Sequence, residues 1–476
     1  MTTIEVLTAE QRAQVHERTL HVLEHTGMRV DSDEGRRILR DAGALVDEET
    51  RIVRFPSALV EESLKLAPRR FSLGGRRPGW SIPLNAGEST LCLDGGPTLV
   101  LDRQTGERRR STHVDWLEAT RLCDALEEIG MWWSPVEGKV LGDTPADWVS
   151  AMTETLRNFS RHVNDSFEDA ALAPWTLEVL ETVFGGRSEI RRLHPYSFLI
   201  CPVSPLVLER WQIDAWLALR GYDIPVAVMP MPIMGATAPG SLLATVLVGN
   251  CETIGTLCLV EAAEPGVPFI HAPTLATMDP RSGRVAGGAP HAALNTAGVE
   301  MARFYGLPAM GSGPSTDAYA PGIQAAYEKT IGTAFGCLAW PDILVGPGSL
   351  AASTIFSFEQ TLIDVELWRL FRKTREGIAV QEDRWLSDVL ERVGPGGQFL
   401  GEASTRRNVR GGEWLLPQLG AHETYESWAA AGAPDILEEA RARVEDILAR
   451  HEPPALGEDV EHALEKLCTR AMGAAT

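Results

Sequence analysis

From about residue 89 to 376, short apolar runs alternate with longer segments whose apolar positions recur at helical spacing. The runs at 90–93, 131–134, 161–164, 197–201, 226–229, 268–271, 309–310 and 343–345 predict strands. The segments at 113–128, 146–158, 170–183, 208–219, 242–263, 291–305, 322–339 and 358–372 predict helices. Alternation of this kind predicts a (βα)8 TIM barrel, because each helix returns the chain to start the next parallel strand. Gly95-Gly96 and Thr105-Gly106 predict a hairpin inserted after the first strand. An open doubly wound sheet is the second topology, but no G-x-G-x-x-G opens a helix. Before the barrel, residues 1–88 read as a helical cap. One helix opens at Thr8-Ala9-Glu10 with apolar positions at Val15, Leu20, Val22 and Leu23, and others cover 35–42 and 56–66. After it, residues 377–476 read as a helical extension, with a turn-rich loop at 393–400 and amphipathic helices at 436–448 and 460–471. The barrel proper spans 89–376, with a catalytic mouth at the strand-to-helix loops.

Composition narrows the partners. A net charge of −21 argues against nucleic acid or an anionic membrane, and would mildly attract a cationic ligand. Seven cysteines without a C-x-x-C pair, and no signal peptide, point to buried reduced thiols in the cytoplasm. The stretch from Leu242 to Val260 approaches membrane-spanning length, yet Asn250 and Glu252 interrupt it, so a buried barrel helix is expected.

Motifs exclude several chemistries. No H-E-x-x-H, H-x-H or Cys/His cluster stands at metal-ligand spacing, and no G-x-S-x-G elbow or P-loop occurs. His194, His271 and His291 fall near strand or helix ends, where either a composite site or ordinary structural hydrogen bonding would suit them. What remains at the predicted loop ends is aromatic: Trp132, Trp133, Phe159, Tyr196, Tyr319, Phe356 and Phe358. If several converge, they form a box able to hold a quaternary ammonium, each ring contributing about 0.5–2 kcal/mol. The alternative is that they fill the core. Asp94, Asp165, Asp279, Asp317 and Glu328 also lie at or past strand ends. Arg281 beside Asp279 suits a loop ion pair as well as a substrate contact, and Glu328 and Lys329 suit a solvated helix face.

The loop wording adds a resemblance. Asp94-Gly-Gly-Pro97, Met234-Gly-Ala-Thr-Ala-Pro239, Met278-Asp-Pro-Arg-Ser-Gly283, Gly313-Pro-Ser-Thr-Asp317, Gln324-Ala-Ala-Tyr-Glu-Lys329 and Val393-Gly-Pro-Gly-Gly397 resemble the trimethylamine methyltransferase (MttB-like) superfamily, from about residue 5 to 450. The resemblance implies a (βα)8 barrel that moves a methyl group from a methylated amine to the cobalt of a corrinoid (cobalamin) held by a partner protein. It aligns the pyrrolysine of the trimethylamine enzymes with Ser315, an ordinary serine. That departure points to the branch without pyrrolysine, which resembles the glycine betaine methyltransferases. Ala318 and Ala320, and Gly288-Ala-Pro-His291, also depart from the family's usual wording. The resemblance implies catalytic roles for Ser315, Asp317 and Glu328, and substrate contacts from the aromatic set with His271 and Arg281. Gly235, Thr237, Gly311 and Gly313 are expected to face the corrinoid, and a homo-oligomer is expected. A quaternary ammonium already carries its charge, so its amine leaves without protonation, consistent with the missing acid, base and metal motifs. Competing expectations are a lyase or hydrolase on the same scaffold, direct betaine-to-tetrahydrofolate transfer, and a non-catalytic betaine-binding protein.

Overall fold

The computed structural model describes residues 3–137, 144–411 and 413–474. Among them, eight parallel strands form the central sheet: β1 Thr90–Cys92, β2 Ile129–Trp132, β3 His162–Asp165, β4 Tyr196–Ile200, β5 Val226–Val228, β6 Phe269–His271, β7 Met310–Ser312 and β8 Ile343–Val345. A parallel bridge between His271 and Ala309, with His271 N donating to Pro308 O at 2.9 Å, joins the two edge strands and closes the barrel. The helices that follow each strand are α1 His113–Ala125, α2 Pro145–Asn158, α3 Ala173–Phe184, α4 Arg210–Leu217, α5 Leu242–Ala263, α6 Ala289–Tyr305, α7 Ile323–Ala339 and α8 Phe358–Glu376. Local sequence starts several of them. Thr112 and Asp115 close a capping box on α1, Thr144 caps α2 ahead of Pro145, and Ser357 caps α8. The predicted hairpin after β1 forms between Leu99–Leu101 and Arg108–Arg110.

Strand registers sort the inward side chains into layers. Met131, Ser197, Ile270 and Ile343 form one layer, above the inward His162. Cys92, Asn164, Ala227 and Met310 come next, and Trp133, Leu199, Ala272 and Val345 lie above them. The outward positions pack against the helices in the larger core, which includes Trp132, Val163, Tyr196, Phe198 and Leu344. A hairpin of Ser72–Gly74 and Ser81–Pro83 plugs the lower end, where Leu73, Ile82 and Leu84 join the inner core.

The N-terminal region corrects an all-helical expectation. Met28–Val30, Leu45–Asp47 and Ile52–Arg54 form a small sheet extended by Val207–Leu208. Strands of three residues complete barely one alternation, so no two-residue period stands out from the flanking helical pattern. The helices Ala9–His25 and Ser57–Leu66 cover α5. That explains how a helix long and apolar enough to cross a membrane by composition is mostly buried here.

Within α5, the buried Glu252 accepts from Ser204 Oγ and Leu206 N, both at 2.8 Å, and so ties the helix to the loop after β4. Burial pushes its carboxyl up to about 7, although both hydrogen bonds pull the other way. A raised carboxyl pKa means the native state holds a proton that the unfolded chain releases, so stability is highest below the unfolded value and declines as pH rises toward 7. Glu252→Gln, which keeps both contacts, is expected to flatten that decline by on the order of 3 kcal/mol between pH 4 and 8, read by urea unfolding. An unchanged slope would assign the decline to other groups.

Candidate active site

Residues past the upper ends of the strands build the mouth. Trp133 follows β2 and turns inward, half-buried among the inner core residues. Its indole lies flat over Gly95, where a β-carbon would stand only 2.1 Å from the ring. Only glycine permits that approach, at the position that follows Asp94. The Asp94 carboxylate accepts the hydroxyl of Ser353. Ser353 in turn sits in a run of three non-glycine residues with left-handed backbone, Ala351, Ala352 and Ser353, at φ of 51°, 50° and 64°. Each such residue is disfavoured by roughly 1–2 kcal/mol. The run is held by Ala351 N donating to Ala318 O and Ala352 N to Thr316 O, both at 2.9 Å.

The loop after β7 carries Ser315 and is fastened along its length. Gly313 N donates to Val345 O at 3.0 Å, and Ser315 N to Gly313 O at 2.8 Å. Glu328 accepts the Thr316 hydroxyl at 2.5 Å and Asp317 N at 2.8 Å. Asp317 accepts Gly287 N at 2.9 Å, tying the loops after β6 and β7 together, and burial raises its carboxyl pKa. Beneath them, Lys329 Nζ donates to Pro314 O and to Asp364 Oδ2, each at 2.8 Å, with both side chains fully buried. Asp364 also accepts Gly348 N from the loop after β8 and Gln360 Nε2, again at 2.8 Å. Lys329 is therefore not the solvated helix charge its spacing suggests. Ser315 is half-buried in this frame, and Asp317 and Glu328 act on it by holding backbone in place.

The aromatic box expected from sequence does not assemble at the mouth. Trp132 faces outward, donates Nε1 to Thr120 Oγ1 at 3.2 Å and stands edge-on to Trp116. Tyr196 also faces outward, with its hydroxyl donating to Asp165 O at 3.0 Å. Phe159 precedes β3 at the lower end, buried beside the Arg161 guanidinium. Phe356 is buried edge-on to Phe358 under the loop after β8. Tyr319 reaches the rim but is 52% exposed, with Arg284 over its ring. Strand alternation explains the split: of two consecutive tryptophans only one can face the barrel axis.

Other expected contacts are displaced as well. His271 points into the helix layer near Tyr305, and burial lowers its pKa to about 3. Neither of its ring nitrogens meets a partner among the described residues. Arg281 is exposed and spent on Asp279, 2.6 Å away. Thr237 Oγ1 accepts Ile233 N inside a turn that Gly235 closes with φ 87°. A β-carbon on Gly311 would meet Val299 at 2.9 Å, and one on Gly313 would meet Leu344 at 2.6 Å. Both glycines thus allow close packing at these positions. The residues that sequence gave least weight are Asp94 and Ser353. Asp94 had a signal in its Asp-Gly-Gly-Pro loop, whereas nothing local marks Ser353.

Among the described residues no group of three or more histidine, cysteine or acidic side chains could hold a metal ion. The fold and mouth define a (βα)8 barrel with a site at its C-terminal face, formed by one inward indole, one carboxylate and a pinned serine loop. The chain belongs to the trimethylamine methyltransferase (MTTB) family, which it matches over residues 1–474. It is 30% identical over 459 residues to the trimethylamine methyltransferase MttB of Desulfitobacterium hafniense, covering 96% of this chain and 92% of the relative. It is 29% identical to the Methanosarcina barkeri MttB, over 98% of this chain and 95% of that one. The glycine betaine methyltransferase of D. hafniense is 28% identical over 97% of this chain and 95% of the relative. Among solved structures, the Methanosarcina barkeri monomethylamine methyltransferase MtmB aligns with 97% of this chain and 92% of its own, at 12% identity and a TM-score of 0.48.

Lys329→Met is expected to cost about 3–5 kcal/mol of stability in urea unfolding, because it strands the Asp364 carboxylate without its counter-charge. Adding Asp364→Leu should recover part of that loss. A single-variant cost below about 1 kcal/mol would show that the pair does not hold the two loops.

Proposed function

We propose that this protein transfers a methyl group from a quaternary amine of the betaine type to the cobalt of a corrinoid carried by a partner protein. The observation that carries this is the inward Trp133 indole packed on Gly95, next in the chain to Asp94, whose carboxylate accepts the Ser353 hydroxyl. A ring face and a nearby carboxylate suit a permanently charged, methylated nitrogen. Family membership supplies the reaction class, and the named activities of the relatives span trimethylamine and glycine betaine. Ser315, aligned with pyrrolysine in the trimethylamine enzymes, favours the quaternary substrate.

The corrinoid enters as a co-substrate and supplies the nucleophile. In this reading the carrier holds the corrinoid, and the contacts seen at Gly235, Thr237, Gly311 and Gly313 serve turns and packing. What favours a docked carrier is the apolar rim: Met231, Leu243, Val285, Tyr319 and Ile323 stand exposed in the loops and at the helix starts around the mouth. The chain's own contribution is placement. Trp133 holds the cation face, Asp94 balances its charge, and the fastened loop from Gly313 to Asp317 keeps the wall beside it from moving. Holding the methyl in line for attack and away from water is the main source of rate in such a transfer.

Added cob(I)alamin is expected to be methylated by this protein with glycine betaine or a related betaine, seen as the absorbance change from cob(I)alamin to methylcobalamin. No change across a panel of betaines, carnitine and choline would sink the proposal, and turnover with no corrinoid would indicate a different reaction. Trp133→Ala should weaken betaine binding by about 0.5–2 kcal/mol in calorimetry. Trp132→Ala should leave affinity unchanged and cost about 3–5 kcal/mol of stability. The reverse pattern would place the cation outside the barrel.

A further inference from the structure

Polar side chains from two neighbouring strands interrupt the apolar interior of the barrel. His162 and Asn164 on β3 and Ser197 on β4 face inward and are fully buried. His162 Nδ1 lies 3.2 Å from the Gly74 carbonyl, and its Nε2 lies 2.8 Å from Ser197 Oγ. The Asn164 carboxamide oxygen lies 2.8 Å from Ser197 Oγ, so it competes with His162 Nε2 for the single hydroxyl proton. The Asn164 Nδ2 meets no partner among the described residues. A buried amide end without a partner costs free energy that a structural role does not return.

The chain of partners turns that carboxamide over. A carbonyl only accepts, so His162 Nδ1 carries the proton that bonds Gly74. Burial keeps the imidazole neutral, pushing its pKa down to about 3 against the carbonyl bond that favours the charged form. Nε2 is then a bare lone pair, and the single Ser197 hydroxyl proton goes to it. Ser197 Oγ has only acceptor capacity left for Asn164. The two ends of a carboxamide are nearly isosteric, so their partners decide the orientation: the NH2 faces Ser197 and the carbonyl Oδ1 faces the barrel axis.

Position gives that oxygen a purpose. The registered pair Val163 and Trp132 places Asn164 and Trp133 side by side on the inner face, one step further along. Ala227 shares the layer of Asn164, and Ala272 stands in the layer above with Trp133, Leu199 and Val345. We propose that Asn164 Oδ1 is the floor of the substrate site, an acceptor for the polarised methyl groups of a methylated ammonium head held against Trp133. This rests on the quaternary-amine function proposed above and adds an orientation: the nitrogen end enters first, and any carboxylate stays toward the mouth. Carbonyl contacts with C–H groups are individually weak, but those next to a positive nitrogen gain from its charge. His162 and Ser197 are positioning residues, acting only through the orientation of Asn164.

Two probes decide it by calorimetry: tetramethylammonium, which is a head alone, and glycine betaine, which adds a carboxylate. Asn164→Asp keeps only acceptors, and should bind tetramethylammonium as tightly as the wild type or more tightly. Asn164→Leu should weaken both probes by about three- to tenfold. Loss of betaine alone in both variants, with tetramethylammonium unchanged, would show that the NH2 faces inward to a carboxylate and would overturn the proposal. If Asn164→Leu does not fold, Asn164→Asp decides alone. Neutron diffraction on the free protein should show the Asn164 deuterons directed at Ser197, and deuterons directed at the barrel axis would overturn the assignment whatever the substrate. Wild-type protein that binds neither probe would overturn the quaternary-amine function, and the floor role with it. Wild-type binding that Asn164→Leu leaves unchanged would overturn the floor alone.

Discussion

The buried ion pair between Lys329 and Asp364 is the contact on which the mouth depends. It joins the loops after β7 and β8 through Pro314 O and Gly348 N, with no water-exposed surface on either side chain. Bringing two charges inside costs several kcal/mol each, and is tolerated where further hydrogen bonds satisfy them. Here Gln360 and the two backbone groups do so. Gly332 lets α7 approach closely enough to make this possible, since a β-carbon there would stand 2.1 Å from Gly313 O. With α7 seated, Glu328 reaches Thr316 and Asp317 one residue before the lysine, and the Ser315 loop has little freedom left.

That rigidity suits the proposed methyl transfer, in which the protein would supply neither acid nor base. A quaternary amine brings its own charge and leaves as a neutral amine. What the barrel has to supply is a fixed direction, a balanced charge and a dry wall. The three left-handed residues from Ala351 to Ser353 fit the same account. Their disfavoured backbone is held by bonds to the Ser315 loop, and the outcome is a hydroxyl fixed on Asp94. The left-handed run and the Lys329–Asp364 pair lie at the loops above the strands, and the Asn164 carboxamide lies one layer below Trp133.

Much of the architecture was legible in the chain. The apolar runs fell on all the barrel strands, with ends shifted by a few residues, because long helices with clear periods separate them. The small N-terminal sheet was not legible, its strands being too short to show a period. The site was readable only as a set of loops. Trp132 and Trp133 are equivalent in composition, and their separation depends on a pleat whose phase the sequence leaves open. Lys329 has the spacing of a surface charge, and only the packing of α7 against α8 reveals it as buried. Asn164 and Ser353 carry no local signal, since each depends on partners far away in the chain.

The central claim is that a methylated cation sits on the barrel axis between Trp133 and Asp94. A crystal structure with bound tetramethylammonium tests it most directly. The expected result is density in van der Waals contact with the Trp133 indole face and beside the Asp94 carboxylate. Density among the outward aromatics Trp132 and Tyr196, or none at the mouth at saturating ligand, would contradict it.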